Sequence, residues 1–172
     1  AASILIDLKS KKASPYFHTA LENSHEEETI RQYALQYLGQ VPPPSAEEKI
    51  SPFLNTPPLD EAAAEALFSL KTPKATTLLI QKLKDKKTPL PLVKRIIHYI
   101  GELHPSGADQ LLIPFLEKGG EVELFSLTAL IKLHPPYLED LMVQALRRPN
   151  DAIKLLAAQE LGKLKSTKGV PL

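Results

Sequence analysis

Residues 30–41 read IRQYALQYLGQV, and residues 153–164 read IKLLAAQELGKL. Both stretches carry an aliphatic residue followed by a basic one, then Ala, and then Leu-Gly at the same spacing. With Leu38 as an anchor, the local pattern recurs at intervals of 32, 30, 30 and 31 residues, at Leu70, Ile100, Leu130 and Leu161. Leu5 fits as a further anchor, 33 residues before Leu38. A pattern that returns at a nearly constant period indicates a repeat protein.

The residues around each anchor predict an amphipathic helix. Positions three and four before an anchor are mostly apolar or small, and position three after it is mostly apolar. Offsets of 3, 4 and 7 residues place these side chains on one stripe of a helix. Small residues stand four before most anchors, at Ala34, Ala66, Ser126 and Ala157. They indicate that a neighbouring helix approaches closely at that point.

A second helix is predicted to follow each anchor. Apolar pairs stand twelve and sixteen residues later, at Phe17 and Leu21, Ile50 and Leu54, Leu112 and Leu116, and Met142 and Leu146. The unit that begins at Leu70 has its pair three residues early, at Leu79 and Leu83. Prolines crowd the connections, for example VPPPS and LHPPY, where they would end helices. Asp60 and Asp151 stand where an N-cap would satisfy the free amides of the next helix. No segment alternates with the period of a strand, so we expect helical hairpins that stack to bury their apolar stripes.

This template resembles the HEAT repeat, specifically the short HEAT-like type of the phycobilisome lyases. Its signature helix is matched by Ile30, Arg31, Ala34, Leu38 and Gly39, and again by Ile153, Lys154, Ala157, Leu161 and Gly162. The middle units depart from it: Lys71 and Ile131 replace the Gly, and the basic position holds Ala63, Val93 or Glu123. The resemblance implies an all-α, right-handed α-solenoid with a period of about 30–33 residues, in which the signature helices line the concave face.

The composition narrows the class of protein. The 172 residues are 43% hydrophobic with a net charge of +1, which is typical of one globular domain and supplies no strong attraction to nucleic acid. There is no cysteine, which excludes disulfides and thiolate chemistry. No apolar run approaches the roughly 20 residues that span a bilayer. Without a signal peptide in this chain, the compartment is open, with the cytoplasm as the default expectation.

We expect a single solenoid domain over residues 1–172. Residue 1 falls inside a signature helix, and no partner helix follows the last one, so we favour a fragment of a longer repeat protein over a short protein with atypical ends. We expect this chain to be a monomer.

Motifs for catalysis and for metal or phosphate binding are incomplete. His104 and His134 repeat with the period and precede prolines, so we expect them to complete helix C-termini. His25–Glu26 is similar to one dyad of the deoxyhypusine hydroxylases, which need several. No nucleophile elbow or phosphate loop is present. We therefore expect no catalytic residue, no metal and no cofactor.

A nucleic-acid partner is also not expected. The HEAT-like DNA glycosylases use a basic channel with aromatic residues. Here the basic clusters, at Lys9 to Lys12, Lys82 to Lys87 and Arg147–Arg148, fall mostly in connections between units, and there is no tryptophan.

One surface is the candidate binding site. Offsets of −5, −2 and +2 from each anchor point away from the buried stripe, and offset −1 borders them. Aromatic and Arg side chains among polar groups are typical of protein-binding surfaces. The predicted partner-binding residues on the concave face are Tyr33, Gln36, Tyr37, Glu65, Phe68, Arg95, His98, Tyr99, Phe125 and Thr128.

These patterns lead to a first hypothesis for function. It is a non-catalytic scaffold, not an enzyme, that holds a partner protein or peptide on its concave face. Two alternatives stay open: a nucleic-acid-binding solenoid that uses the lysine-rich edges, or a HEAT-like enzyme or cofactor-handling domain.

Overall fold

The structure, a computed structural model, describes residues 11–166, and all regular secondary structure in that range is helical. The α-helices are α1 (Ser14–Glu22), α2 (Glu28–Gln40), α3 (Ala46–Ile50), α4 (Asp60–Leu70), α5 (Pro73–Lys84), α6 (Leu90–Leu103), α7 (Ala108–Glu117), α8 (Glu121–Leu133), α9 (Leu138–Ala145) and α10 (Asp151–Lys163). Two 3₁₀ helices, Lys11–Ala13 and Ser51–Asn55, lie beside them.

The chain divides into two compact units, Ala1–Ile96 and Ile97–Leu172, here called the N-terminal and C-terminal units. In the N-terminal unit α2 packs against α1 and α4, and α4 packs against α5. In the C-terminal unit α8 packs against α7 and α10, and α10 packs against α9. Helix α6 has residues in both units. The single domain over residues 1–172 stays a prediction.

The predicted apolar stripes form the core. The anchors Leu38, Ile100 and Leu130 are fully buried, Leu161 is buried, and Leu70 is half-buried. The second-helix pairs are buried as well, except that Leu146 is half-buried. The anchor Leu5 lies outside the described residues. A period read from sequence therefore located the core, because offsets of three and four residues share one face of a helix.

One predicted helix is interrupted. The second helix of the second repeat consists of α3 and the 3₁₀ helix Ser51–Asn55, with Pro52 at its start. Proline has no backbone N–H and its ring crowds the preceding turn, so an α-helix does not continue through it unchanged. Ile50 and Leu54 are nevertheless both buried, since the two short pieces keep them on the core side.

The glycine after an anchor lets two signature helices approach closely. In the N-terminal unit, a Cβ added at Gly39 would lie 2.8 Å from the Cα of Ala66. In the C-terminal unit, a Cβ at Gly101 would lie 2.8 Å from the Cβ of Ala129. Both distances are shorter than side-chain contacts allow. The close approach predicted at the small residues is therefore present at Ala66, whereas in the C-terminal unit the close contact is at Ala129, which the prediction did not include.

The two histidines end helices, as the repeat predicts. His104 and His134 follow α6 and α8 with φ of 50°, and their backbone N–H groups donate to carbonyls one turn earlier at 3.2 and 3.0 Å. The His104 ring also lies 3.0 Å, from Nε2, from the carbonyl oxygen of Lys132. Late carbonyls of a helix have no intrahelical partner, which explains why a ring N–H is useful there.

The helix caps differ by one residue from the sequence interpretation. Asp60 and Asp151 were expected to cap α4 and α10, but each is the first residue of its helix. For α10 the cap is Asn150, whose Oδ1 accepts from the backbone N–H groups of Ala152 and Ile153. Asp is favoured both as a cap and in the first turn of a helix, so its presence alone did not separate the two positions.

Candidate functional site

A pocket of about 170 Å³ lies in the C-terminal unit, between α6 and α8. Its lining residues are His98, Leu124, Phe125, Thr128, Ala129 and Lys132. All but His98 come from α8, where spacings of one, four, five and eight residues put them on one face. We call this the Phe125 pocket. The Phe125 side chain is 40% exposed, which is unusual for a large apolar residue next to a core.

Most polar groups of the Phe125 pocket are already bonded within the protein. Thr128 Oγ1 donates to the carbonyl oxygen of Leu124 at 2.8 Å, so its methyl group is left for contact. The Lys132 ammonium donates to Glu102 Oε1. Lys132 holds the pKa of the Glu102 carboxyl below its usual range through this hydrogen bond and its charge. His98 is exposed, and among residues 11–166 no hydrogen-bond partner is found for its ring.

Lys132 is bonded both through its side chain, to Glu102 of α6, and through its backbone carbonyl, to His104, which follows α6. Glu102 accepts from its ammonium, and the ring of His104 binds its backbone carbonyl at 3.0 Å. The Gly101–Ala129 contact brings the same two helices together one turn away. The wall of the Phe125 pocket is therefore fixed by three contacts, two between α6 and α8 and one from His104, which follows α6.

The N-terminal unit has a second, more polar pocket of about 230 Å³. Its lining residues are Thr29, Gln32, Tyr33, Gln36, Ala62 and Glu65. Beside it, Arg95 binds Glu61 at 2.7 Å and approaches Glu65 at 3.7 Å. Arg95 and Glu65, both predicted binding residues, therefore lie close together, and Arg95 also binds Glu61, which the offset rule did not select.

Eight of the ten predicted binding residues lie at or near the surface of α2, α4, α6 and α8. Tyr33, Gln36 and Glu65 line the polar pocket, with Arg95 beside it, and His98, Phe125 and Thr128 line the Phe125 pocket. Phe68 is half-buried on α4. That these residues contact a partner stays a prediction.

Two predicted residues do not belong to an accessible surface. Tyr37 is fully buried, with its ring stacked on Phe17 at a centroid distance of 4.5 Å. Tyr99 is 6% exposed. Offset −1 borders the outward positions on an isolated helix, but in the folded chain Phe17 of α1 covers Tyr37. The prediction that these two tyrosines lie at the surface is wrong, because both side chains are part of the core.

The ten-residue prediction missed part of the pocket wall. Leu124 and Ala129 were not selected, and Lys132 met the offset rule without being selected for binding. The signal that could have found Leu124 and Ala129 is their place one residue before Phe125 and one after Thr128, on the same helical face.

Across residues 11–166, no group of three or more His, Cys, Asp or Glu side chains is arranged to hold a metal ion. Within that range, too, every helix is too short or too polar to cross a membrane.

Comparison with known proteins places the fold. The chain is similar to the structure of the complex of CpcE and CpcF of phycocyanin lyase from Nostoc sp. PCC7120. The TM-score is 0.60 at 24% sequence identity, over 96% of this chain and 70% of that chain. No protein-family model and no curated protein matches the sequence.

This likeness corrects the functional expectation. A non-catalytic scaffold was expected, and the chain was expected not to be an enzyme. Both expectations are wrong, because the structure that the fold matches is that of a lyase. The error came from treating incomplete catalytic motifs as evidence of no chemistry, whereas helical repeats can form a site from scattered residues. The resemblance to the phycobilisome lyases is confirmed for the fold, and the chain has the all-α, HEAT-like solenoid fold of a phycocyanin lyase subunit.

Proposed function

We propose that this chain is a subunit of a lyase that handles a bilin, an open-chain tetrapyrrole, and attaches it to an acceptor protein. The observation that carries the proposal is the likeness to the complex of CpcE and CpcF of phycocyanin lyase over 96% of the chain. Of the alternatives open from sequence, this corresponds to the enzyme or cofactor-handling domain. The Phe125 pocket supports it, since an exposed aromatic ring beside aliphatic side chains suits a flat conjugated ligand.

The chemistry available to the chain limits its role. It has no cysteine, so a thiol that accepts the bilin would have to belong to the acceptor protein. His98 supplies the imidazole of the Phe125 pocket, which can donate or accept a hydrogen bond. Its position beside an apolar wall suits binding and orienting a conjugated ring. The role that we assign to this chain is therefore to hold the bilin and present it, while the acceptor supplies the nucleophile.

The size of the Phe125 pocket supports a shared site. Pockets that enclose a drug-sized ligand measure roughly 300–1,000 Å³. The Phe125 pocket measures about 170 Å³, so it covers only part of a tetrapyrrole. A second protein subunit would cover the rest, as the two-protein composition of the phycocyanin lyase complex suggests. We expect the chain to be monomeric alone, to pair with a different subunit and to work in the cytoplasm.

Attachment of bilin to apo-phycocyanin tests the function. The chain is incubated with phycocyanobilin and apo-phycocyanin, alone or with CpcE or CpcF as the second subunit. Covalent product is read as zinc-enhanced fluorescence on a denaturing gel. We expect faster attachment with the chain and one of the two subunits than without the chain. No bilin binding by absorbance and no acceleration with either subunit would refute the proposal.

Variants connect the activity to the pocket. We expect Phe125→Ala to slow attachment. Leu155→Ala is the matched control, because Leu155 is a 62% exposed apolar residue of the same unit outside the pocket. Equal loss in both variants would point to a general effect on the surface of the unit. Circular dichroism confirms that each variant is folded.

A further inference from the structure

The Phe125 pocket presents one polar side chain, His98, for which residues 11–166 supply no hydrogen bond. Thr128 is bonded to its own helix and Lys132 to Glu102. In the part of the chain that the structure describes, His98 has a ring contact with Tyr99 at 5.9 Å and no hydrogen bond. A ligand in this pocket therefore meets an apolar wall with one imidazole at its edge.

The charge of the pocket argues against recognition of an anion. Lys132 is its charged lining residue, and the carboxylate of Glu102 is bonded to the Lys132 ammonium. The lowered pKa of Glu102 keeps this carboxylate ionised at neutral pH. A ligand carboxylate that approaches Lys132 would also approach Glu102, and repulsion would offset most of the attraction. The pair as a whole has no net charge and favours an uncharged group.

The hydrogen-bonding groups of the His98 imidazole indicate which kind of ligand ring it can bind. A neutral imidazole has one N–H donor and one nitrogen acceptor. It can accept a hydrogen bond from a ring N–H or donate one to a ring carbonyl. A lactam ring, such as the end ring of a bilin, offers both groups on one edge and a flat apolar surface for packing on Phe125.

We propose that the Phe125 pocket binds one uncharged end ring of the bilin, with the ring packed on Phe125 and its lactam edge hydrogen-bonded to His98. The bilin carboxylates stay outside the pocket. This inference rests on the proposed function and adds which part of the bilin this chain recognises. Glu102 is a positioning residue, since it holds Lys132 at the pocket edge and cancels its charge.

The experiment compares biliverdin with biliverdin dimethyl ester, which has the same rings and no ionisable carboxylates. Both are titrated into the intact chain at low and high salt, and binding is followed by absorbance and induced circular dichroism. We expect the two Kd values to agree within about threefold and to change little with salt, because no net charge is engaged. An ester that binds more than about tenfold more weakly, or a steep loss with salt, would overturn the inference.

Variants test the two contacts separately. His98→Ala should weaken binding about three- to tenfold, the loss of one hydrogen bond, and His98→Gln should recover part of it. Phe125→Ala should weaken binding by about tenfold or more, and Leu155→Ala should leave it unchanged. Glu102→Gln should make the acid bind more tightly than the ester, because the charge of Lys132 is no longer cancelled. Unchanged binding in both the His98 and Phe125 variants would contradict the proposed contacts.

A one-ring pyrrolinone separates this inference from the proposed function. Its binding to the chain is followed by NMR shifts of the His98 and Phe125 rings. Ring binding at these residues without any bilin attachment would retain the pocket inference and refute the lyase function. Attachment without shifts at these residues would retain the function and refute the inference. Absence of both would refute the two together.

Discussion

Arg148 binds Glu123 through Nη1 at 2.9 Å, and the same nitrogen donates to the carbonyl oxygen of Leu116 at 3.1 Å. In the N-terminal unit, Arg31 donates to the carbonyl oxygen of Leu21 at 3.4 Å. Leu21 and Leu116 occupy equivalent positions in the last turn of a second helix, where carbonyls lack intrahelical partners.

The two arginines reach these equivalent carbonyls from different places in the repeat. Arg31 is the basic residue seven before its anchor Leu38. The equivalent position in α8 holds Glu123, and Arg148 lies in the connection between α9 and α10. The departure from the repeat template at Glu123 is therefore compensated in the tertiary structure, because a guanidinium still meets the exposed carbonyl.

Loss of Arg148 should destabilise the C-terminal unit. The Glu123 side chain is 7% exposed, so Arg148→Met leaves a buried carboxylate without its partner. We expect the free energy of unfolding, measured by urea denaturation, to fall by about 3 kcal/mol. The double variant Glu123→Leu/Arg148→Met should recover most of that loss, because no charge is then left buried.

An exposed ion pair gives the control for this experiment. Lys154 binds Asp151, whose side chain is 94% exposed. Lys154→Met should change the free energy of unfolding by less than about 1 kcal/mol. If Arg148→Met lowered the free energy of unfolding no more than Lys154→Met, the buried pair would contribute no more to stability than the exposed one.

The three glycines that follow an anchor should respond differently to alanine. Gly39→Ala and Gly101→Ala each force a Cβ within 2.8 Å of a neighbouring helix, and we expect each to destabilise the protein by about 1–3 kcal/mol. Among residues 11–166, Gly162 has no such neighbour within 4 Å, so Gly162→Ala should stabilise α10 by up to about 1 kcal/mol. Urea denaturation measures all three. Destabilisation by Gly162→Ala would contradict this explanation.

The cap of α10 can be identified by substitution. Asn150→Ala removes the acceptor of two backbone N–H groups and should cost about 1 kcal/mol, or about 2–4 °C in Tm. Asp151→Ala keeps the cap and loses an exposed ion pair and a favourable charge near the helix start, which should cost about half as much. A larger decrease in Tm for Asp151→Ala than for Asn150→Ala would show that Asp151 is the cap, as the sequence suggested.

The Asp109–Tyr137 hydrogen bond should make stability depend on pH. Tyr137 donates to Asp109 Oδ2 at 2.6 Å, and this bond lowers the pKa of the Asp109 carboxyl from 3.8. Burial, together with Asp109, raises the pKa of Tyr137 to about 12. The Asp109 contribution is therefore present above pH 3.8 and is lost as the pH falls through the lowered pKa. The Tyr137 contribution is present below pH 10.0 and is lost as the pH rises through about 12.

Tyr137→Phe measures this contribution. We expect it to lower the free energy of unfolding by about 1 kcal/mol at neutral pH, with the difference from the unmodified protein shrinking in strong acid. Tyr16→Phe is the matched control, because Tyr16 is 51% exposed and no hydrogen bond is found for its hydroxyl in the described part of the chain. A difference for Tyr137→Phe that stays constant from neutral pH to strong acid would contradict a role for the Asp109 carboxylate.

Part of the candidate site could be predicted from sequence. The helical offsets identified His98, Phe125 and Thr128 because their side chains lie away from the buried stripe of their own helices. The offsets of −5, −2 and +2 do not include Leu124 and Ala129, which neighbour Phe125 and Thr128 on α8 and form a pocket wall because α6 stands beside α8. Nor could they indicate that the charge of Lys132 is cancelled, since its partner Glu102 is 30 residues away in sequence.

The amino-acid sequence by itself determined the repeat period, the helical class and the buried stripes, since these follow from local spacing along one helix. Tertiary structure alone decided which outward positions are accessible. Tyr37 lies one residue from an anchor, and it is buried because Phe17 of another helix stacks on it. Glu123 breaks the repeat template, and it is tolerated because Arg148 reaches it from a later connection. Exposure and charge pairing depend on neighbouring helices, which the pattern within a single helix does not specify.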